Sequence, residues 1–345
     1  MMRVLTDSAS AEAQVIEQAA TEVAGLGVDL DATIGWAVRL GPLVSQPGSG
    51  RTAGRWSALA TAASLDVAAA RVLEPHLDAL AIIAEAQATG SLAREALDAI
   101  GADESASWGV YAAEGPISLT AEANGDGTWR LDGTKSWCSL AGRLSHALVT
   151  AWVNNDERQL FAVSLRHPSV EAQIGPWVAR GLSGIVSAAV DFHNTPAVPV
   201  GDAGWYLKRP GFHWGGMGVA AVWWGGVLPV ADALGRAASR SGADQIAQML
   251  HGEADAHLWA TRVVLTDAAA RIDASAGDAR VLAQRVRAVT AHAAERVLTL
   301  ADHGLGPGPL TTDEEHARRV SDLRIYLRQD HAERDLARLG RSVVA

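Results

Sequence analysis

The feature that most restricts what this chain can become is a change of period that happens twice. Up to about residue 105 apolar side chains recur at helical spacing. Between Trp108 and Gly201 they alternate with polar residues or come in short apolar runs broken by Gly and Pro. From Gly211 the helical spacing returns. Alternation marks a half-buried strand, because successive side chains point to opposite faces. The chain must therefore build a small sheet in its middle and helices on both flanks. The anchor of the middle section is residues 125–153, where Trp129, Leu131 and Gly133 alternate with polar residues. Asp132-Gly133 reads as a turn, since Gly tolerates positive φ and Asp bonds its own backbone. The next strand is expected over residues 147–153. Further strands are expected at 108–113, 117–121, 160–165, 170–174 and 188–192, with Pro196, Pro199 and Gly201 closing the section. Short strands with frequent turn signals predict a barrel or sandwich.

In the first flank, residues 9–24 carry Val15, Ile16, Ala19, Ala20 and Val23 on one side and Glu12, Gln14, Glu17 and Glu22 on the other. That is an amphipathic helix, ended by Gly25 and Gly27. Residues 40–50 read as a loop, with Thr52 as the N-cap of a helix through Leu65. A helix over residues 66–88 follows, which Pro75 should kink or split. Its Glu74, His76 and Asp78 read as a solvated or capped face, because no second ligand pair stands at zinc-like spacing; no metal site is expected. In the last flank, residues 211–233 are nearly uncharged, with Trp214, Trp223 and Trp224 among Gly and Ala. They predict a helix buried on most sides. Each of its glycines costs roughly 1 kcal/mol of helix propensity, which close helix or ligand approach would explain, as would tight packing alone. Helices are expected at 246–250, 254–272, 281–300 and 314–339, with a loop at 303–309.

A length of 345 residues makes more than one domain the expectation, divided as 1–105, 106–205 and 206–345. Hydrophobic residues at 48% and charged ones at 20% describe an ordinary globular chain, not a disordered one. A net charge of −10 argues against non-specific binding to nucleic acid or an anionic membrane. Cys138 is the single cysteine, so an intrachain disulfide and a Cys-rich zinc site are both excluded. The N-terminus MMRVLTDSASAEAQ lacks the apolar core of a signal peptide, and a cytoplasmic location is expected. The apolar stretch from Pro210 is broken by glycines and His213, and it reads as a buried helix instead of a membrane span.

The run Leu131-Asp132-Gly133-Thr134-Lys135-Ser136-Trp137-Cys138-Ser139 resembles the L-x-G-x-K-x-W-[IC]-[TS] signature of the acyl-CoA dehydrogenase superfamily of flavoproteins. The order helical, β, helical matches that family from about Gly48 onward. The resemblance implies an α+β fold with an N-terminal helical domain, a middle β-barrel or sandwich and a C-terminal helical bundle. It implies FAD as cofactor, with Trp137 beside the flavin ring, Cys138 next to it and Ser139 bonding the ring edge. From the residue alone, Trp137 reads more readily as core. In the family a T-E-P-like segment lines the pyrimidine edge; here Ala113-Glu114-Gly115 stands there, so backbone N–H groups of Ala112 and Ala113 would serve. Gly304, in the run His303-Gly304-Leu305-Gly306, matches the Gly-rich loop that reaches the FAD of a neighbouring subunit. A homodimer or homotetramer, or a paired heteromeric subunit, follows, with an acyl-CoA-like substrate.

A dehydrogenase of this family needs a carboxylate to take the α-proton. At the commoner position this chain has Ile325-Tyr326-Leu327, and at the other Gly211-Phe212-His213-Trp214. Neither supplies a carboxylate. Three readings stay open. Asp330, Glu333 or another acid does the work. Alternatively, the chain is a flavin-dependent monooxygenase needing no such base, in which His213 or His331 steers the oxygen chemistry. In the third reading it is a catalytically degenerate flavin-binding or scaffold subunit. Structural roles compete here too, with His213 as a core histidine and His331 as a surface one.

Overall fold

The computed structural model describes residues 10–125 and 127–344. Four helices come first: α1 (Ala11–Ala20), α2 (Leu30–Leu40), α3 (Thr52–Leu65) and α4 (Val67–Ala88). Residue 9, where the first helix was expected to begin, lies outside the described residues. Helix α2 has no counterpart in the periodicity reading. It is capped by Asp29, whose side chain accepts from the Ala32 N–H, and it buries Trp36 and Leu40. Thr52 is the first residue of α3 and not its cap. Its hydroxyl is drawn away to Asp273, at 2.6 Å. Helix α4 runs unbroken through Pro75.

Seven strands follow: β1 (Trp108–Tyr111), β2 (Leu119–Ala123), β3 (Trp129–Ser139), β4 (His146–Trp152), β5 (Arg158–Ser164), β6 (Val170–Ala172) and β7 (Ser187–Val200). Strands β4, β2, β3, β7 and β5 are joined in that order, and β4 pairs back to β5, so the five close on themselves. β1 flanks β4, and β6 flanks β7. Asp132-Gly133 is not a turn. It lies inside β3 at a register shift against β7, where Gly133 has φ 112 and a Cβ would come within 2.6 Å of the Ser118 carbonyl. A bulge and a turn ask for the same residue types, and the sequence does not separate them. β7 likewise runs through Pro196 and Pro199, eight residues beyond the expected end at 192.

The remaining helices are α5 (Trp205–Lys208), α6 (Gly211–Ala238), α7 (Gln245–Asp273), α8 (Ala279–Leu305), α9 (Gly308–Thr312), α10 (Glu314–Tyr326) and α11 (Glu333–Val344). Helix α6 is long and apolar enough to cross a membrane, but it is largely buried within the protein. Its Gly225 lies so close to α3 that a Cβ would meet the Ala60 carbonyl at 2.1 Å, which accounts for glycine there. Further expectations are corrected: the helices expected at 246–250 and 254–272 are one continuous α7. Residues 303–309 are mostly helical, and Gly304 sits in the last turn of α8 against Leu234 and Leu250. The helix expected over 314–339 breaks after Tyr326 and restarts at Glu333.

Candidate active site

Helix α4 carries the centre of the site. Glu74 and Asp78 stand four residues apart and share one face, since an α-helix turns once per 3.6 residues. His76 points the other way. Of the three residues expected on a solvated face, Glu74 is 9% exposed and His76 3%, and Asp78 is half-buried. The Trp108 N–H donates to His76 Nδ1 at 3.3 Å and ties α4 to β1. Burial pushes the His76 pKa down to about 4, so it stays neutral and structural. The sequence offered no sign of this, because the burying partners come from β1 and the distant helices.

Helix α10 is brought to α4 by its arginines. Arg319 donates to the carbonyls of Ala63 and Leu65 at 2.8 and 2.9 Å, closing the end of α3. Arg318 pairs with Asp66, the residue capping α4. Two turns beyond Arg319, the Tyr326 hydroxyl donates to Glu74 Oε2 at 3.2 Å. Arg71 Nη1 lies 3.9 Å from the same oxygen and its guanidinium sits 5.6 Å from the Tyr326 ring centre. Burial raises the Glu74 pKa to about 7 against the opposing charge of Arg71. Leu327, where the family resemblance sought a carboxylate, is buried next to Tyr326. An acid therefore does reach this neighbourhood, from α4 instead of from α10.

Glu74 and Asp78 open onto a cavity of about 370 Å³ that Phe212, His213, Arg287 and Asp330 also line. Burial raises the Asp78 pKa. His213, on the first turn of α6, is partly open to this cavity and is no core residue; burial lowers its pKa. Asp330 reaches the same cavity, with its carboxylate accepting from the Ala332 N–H at 3.0 Å and its pKa raised by burial. His331 does not join them. It lies on the surface beside Asp335, at 3.4 Å. Ala112 lines a separate cavity of about 420 Å³ with Trp152, Arg158 and Tyr206, while Ala113 is exposed just after β1. Glu114, next in the chain, gathers Lys135 at 2.9 Å and Arg158 at 2.7 Å. Partial burial would raise its pKa, and the hydrogen bonds from Lys135 and Arg158 lower it further than that.

The strand end at Trp137–Ser139 is arranged differently. The β3 backbone slips register between Lys135 and Cys138, and Trp137 takes φ 63. The indole is thrown outward, 62% exposed, so Trp137 is not core. Cys138 is buried, and burial pushes its thiol pKa up, so it is no nucleophile at neutral pH. Ser139 is fully engaged. Arg71 Nη2 donates to its hydroxyl at 3.0 Å, the Ser187 hydroxyl lies at 2.7 Å, and the Tyr111 hydroxyl donates to its carbonyl at 3.0 Å. The void bounded by Arg71, Tyr111 and Ser139 measures about 10 Å³. An open indole and a hydroxyl suit a planar ring cofactor in kind. The void between Ser139 and Arg71 is too small for one, and a cavity of about 490 Å³ opens beside Cys138 instead. Among the described residues, no three His, Cys, Asp or Glu side chains are grouped to hold a metal ion.

No protein-family model and no curated protein matches the chain. Solved structures do. The chain is similar to butyryl-CoA dehydrogenase from Megasphaera elsdenii, with 17% identity, 99% of this chain and 100% of that one covered, and a TM-score of 0.79. It is also similar to KijD3 in complex with FMN and dTDP-3-amino-2,3,6-trideoxy-4-keto-3-methyl-D-glucose, at 18% identity over 93% of this chain and 90% of that one, with a TM-score of 0.76. A third is TdsC from Paenibacillus sp. A11-2 with FMN and indole, at 15% identity over 95% and 94%, with a TM-score of 0.75. At these identities the likeness establishes the fold.

Proposed function

We propose that this chain, which has the acyl-CoA dehydrogenase fold, is a flavin-dependent oxidoreductase whose proton acceptor is Glu74. The observation that carries the reading is the pairing of Glu74 with Tyr326 at the cavity, one residue from Leu327. A carboxyl with a pKa of about 7 is partly ionised at neutral pH and strong enough to take a proton from a bound substrate. Arg71 and the Tyr326 hydroxyl would steady the ionised form. Apolar Phe212, Val219 and Ala283 on the cavity wall would limit water around it.

A bound flavin would supply the redox chemistry. Two of the fold neighbours, KijD3 and TdsC, are in complex with FMN. Trp137 would offer the ring a face, and Ser139 becomes available to it only when Arg71 lets go. The finer reading, α,β-dehydrogenation of an acyl thioester with FAD, asks for an apolar acyl pocket, and the charged lining of the cavity weighs against it. Monooxygenation is the second reading, favoured by His213 on the cavity wall and the absence of a carboxylate at Leu327.

The test is reconstitution of the purified protein with FMN and with FAD separately, following the visible flavin absorbance. One flavin per chain is expected from one of the two. A protein that holds neither sinks the reading.

A further inference from the structure

The cavity over Glu74 is lined by carboxylates and guanidinium groups in equal number, four of each. Such a lining is the wrong solvent for a hydrocarbon chain, which would strip these groups of water and return nothing. The cations are largely committed. Arg209 pairs with Glu85 at 2.8 Å. Arg287 donates to the carbonyls of Gly216 and Gln329 at 3.0 and 2.8 Å and stacks on Trp223. Arg338 pairs with Asp335 at 2.8 Å.

Asp330 and Asp335 are committed too, to the Ala332 N–H and to Arg338, but other acceptors on the wall are not. Asp78 makes no hydrogen bond or close ion pair; Arg209 and Arg55 act on it only from a distance. Gln284 Oε1 is buried without a partner. Both contacts of Glu74 fall on Oε2, which leaves Oε1 to the cavity. The backbone makes room for them. At Gly215 a Cβ would stand 2.5 Å from Asp78 Oδ1, and at Gly216 it would meet open space. Buried acceptors are normally satisfied, and a cavity wall that leaves Gln284 Oε1 buried without a donor, beside a half-buried Asp78 with no hydrogen bond, is completed by donors brought in by its ligand.

We infer that the substrate of this site is a small hydrophilic molecule presenting several N–H or O–H donors, an amine or polyol of about one sugar ring, held by Asp78 and Gln284 with its reacting end at Glu74. An acyl thioester offers a carbonyl acceptor and an alkyl tail, the opposite of what the lining lacks. This inference deepens the function proposed above, for the same cavity. Asp78 and Gln284 are then the residues that set specificity.

Isothermal titration of the flavin-reconstituted protein with D-glucosamine, D-glucose and butyryl-CoA as probes tests it. Glucosamine should bind, with Asp78→Ala and Gln284→Leu each weakening it about tenfold, one good hydrogen bond to a charged or buried acceptor. Asp78→Asn, which keeps an acceptor, should recover part of the loss, and thermal melts of each variant report folding separately. The inference is overturned if glucosamine and glucose fail to bind, if their affinity ignores both substitutions, or if butyryl-CoA binds in a manner sensitive to Asp78. Flavin content is read on the same samples. Glucosamine binding without flavin defeats the redox reading alone, and flavin without glucosamine binding defeats the substrate class alone.

Discussion

At Ser139 every polar atom the fold brings in has a partner, whereas around Glu74 and Asp78 several acceptors have none. The first cluster is closed, with a void of about 10 Å³, and the second opens on about 370 Å³. Both are built by α4 and share Arg71, which reaches Ser139 with one nitrogen and lies near Glu74 with another. The difference teaches that residue type and site are separable. Ser139 carries the family-like motif but is occupied by its own protein. Glu74 carries no motif and faces free volume.

The largest expected effect comes from removing the acid. Glu74→Gln should lower kcat/KM by about 10²–10⁴-fold, the usual worth of a general base, while leaving flavin content unchanged. Turnover that survives intact in this variant would move the chemistry away from the cavity. Stability gives the next largest signal. Glu74 has an ordinary pKa of 4.5 when unfolded and about 7 when folded. The folded state therefore binds the proton more tightly. Its contribution is fully present below pH 4.5 and is lost as pH rises to 7, a loss of about 3 kcal/mol. Asp322, raised to about 6 by burial, acts in the same direction. Urea melts from pH 4.5 to 8 should show the decline, and Glu74→Gln should remove the largest single share of it, leaving the part due to Asp322.

Arg71→Met sharpens the comparison, because it opens the closed cluster and removes a cation from the open one. Flavin affinity should rise about tenfold, a change near 1.4 kcal/mol, and the acidic limb of the pH–rate profile should move upward. Unchanged affinity would mean that Arg71 does not block the ring. The smallest effects belong to the motif itself. Ser139→Ala should cost stability about 0.5–1.5 kcal/mol for its lost hydrogen bonds. Trp137→Ala, at an exposed position, should stay within about 0.5 kcal/mol while weakening flavin binding. A strong loss of stability at Trp137 would show that it packs against something in solution.

The element types were legible because burial period follows local geometry. The alternation at β3 and the uniform apolar run of α6 each state their own structure. Boundaries were less legible. Gly133 suits a bulge as well as a turn, and Pro196 and Pro199 did not end β7. Gly304 read as a loop residue because glycine is common there, yet α8 uses its bare Cα to pack on Leu234 and Leu250.

The sequence alone determined the helix–sheet–helix order, the strand carrying Trp137 to Ser139 and the absence of a carboxylate at position 327. Those follow from residue spacing along the chain. Only the tertiary structure decided that Glu74 is buried and Asp78 half-buried, that Tyr326 reaches Glu74 from 252 residues away, and that Arg71 packs against Ser139. The physical reason is that a side chain's ionisation and hydrogen bonding depend on what surrounds it. For α4 those surroundings include α2, α3, β1, α6 and α10, and only folding puts them there.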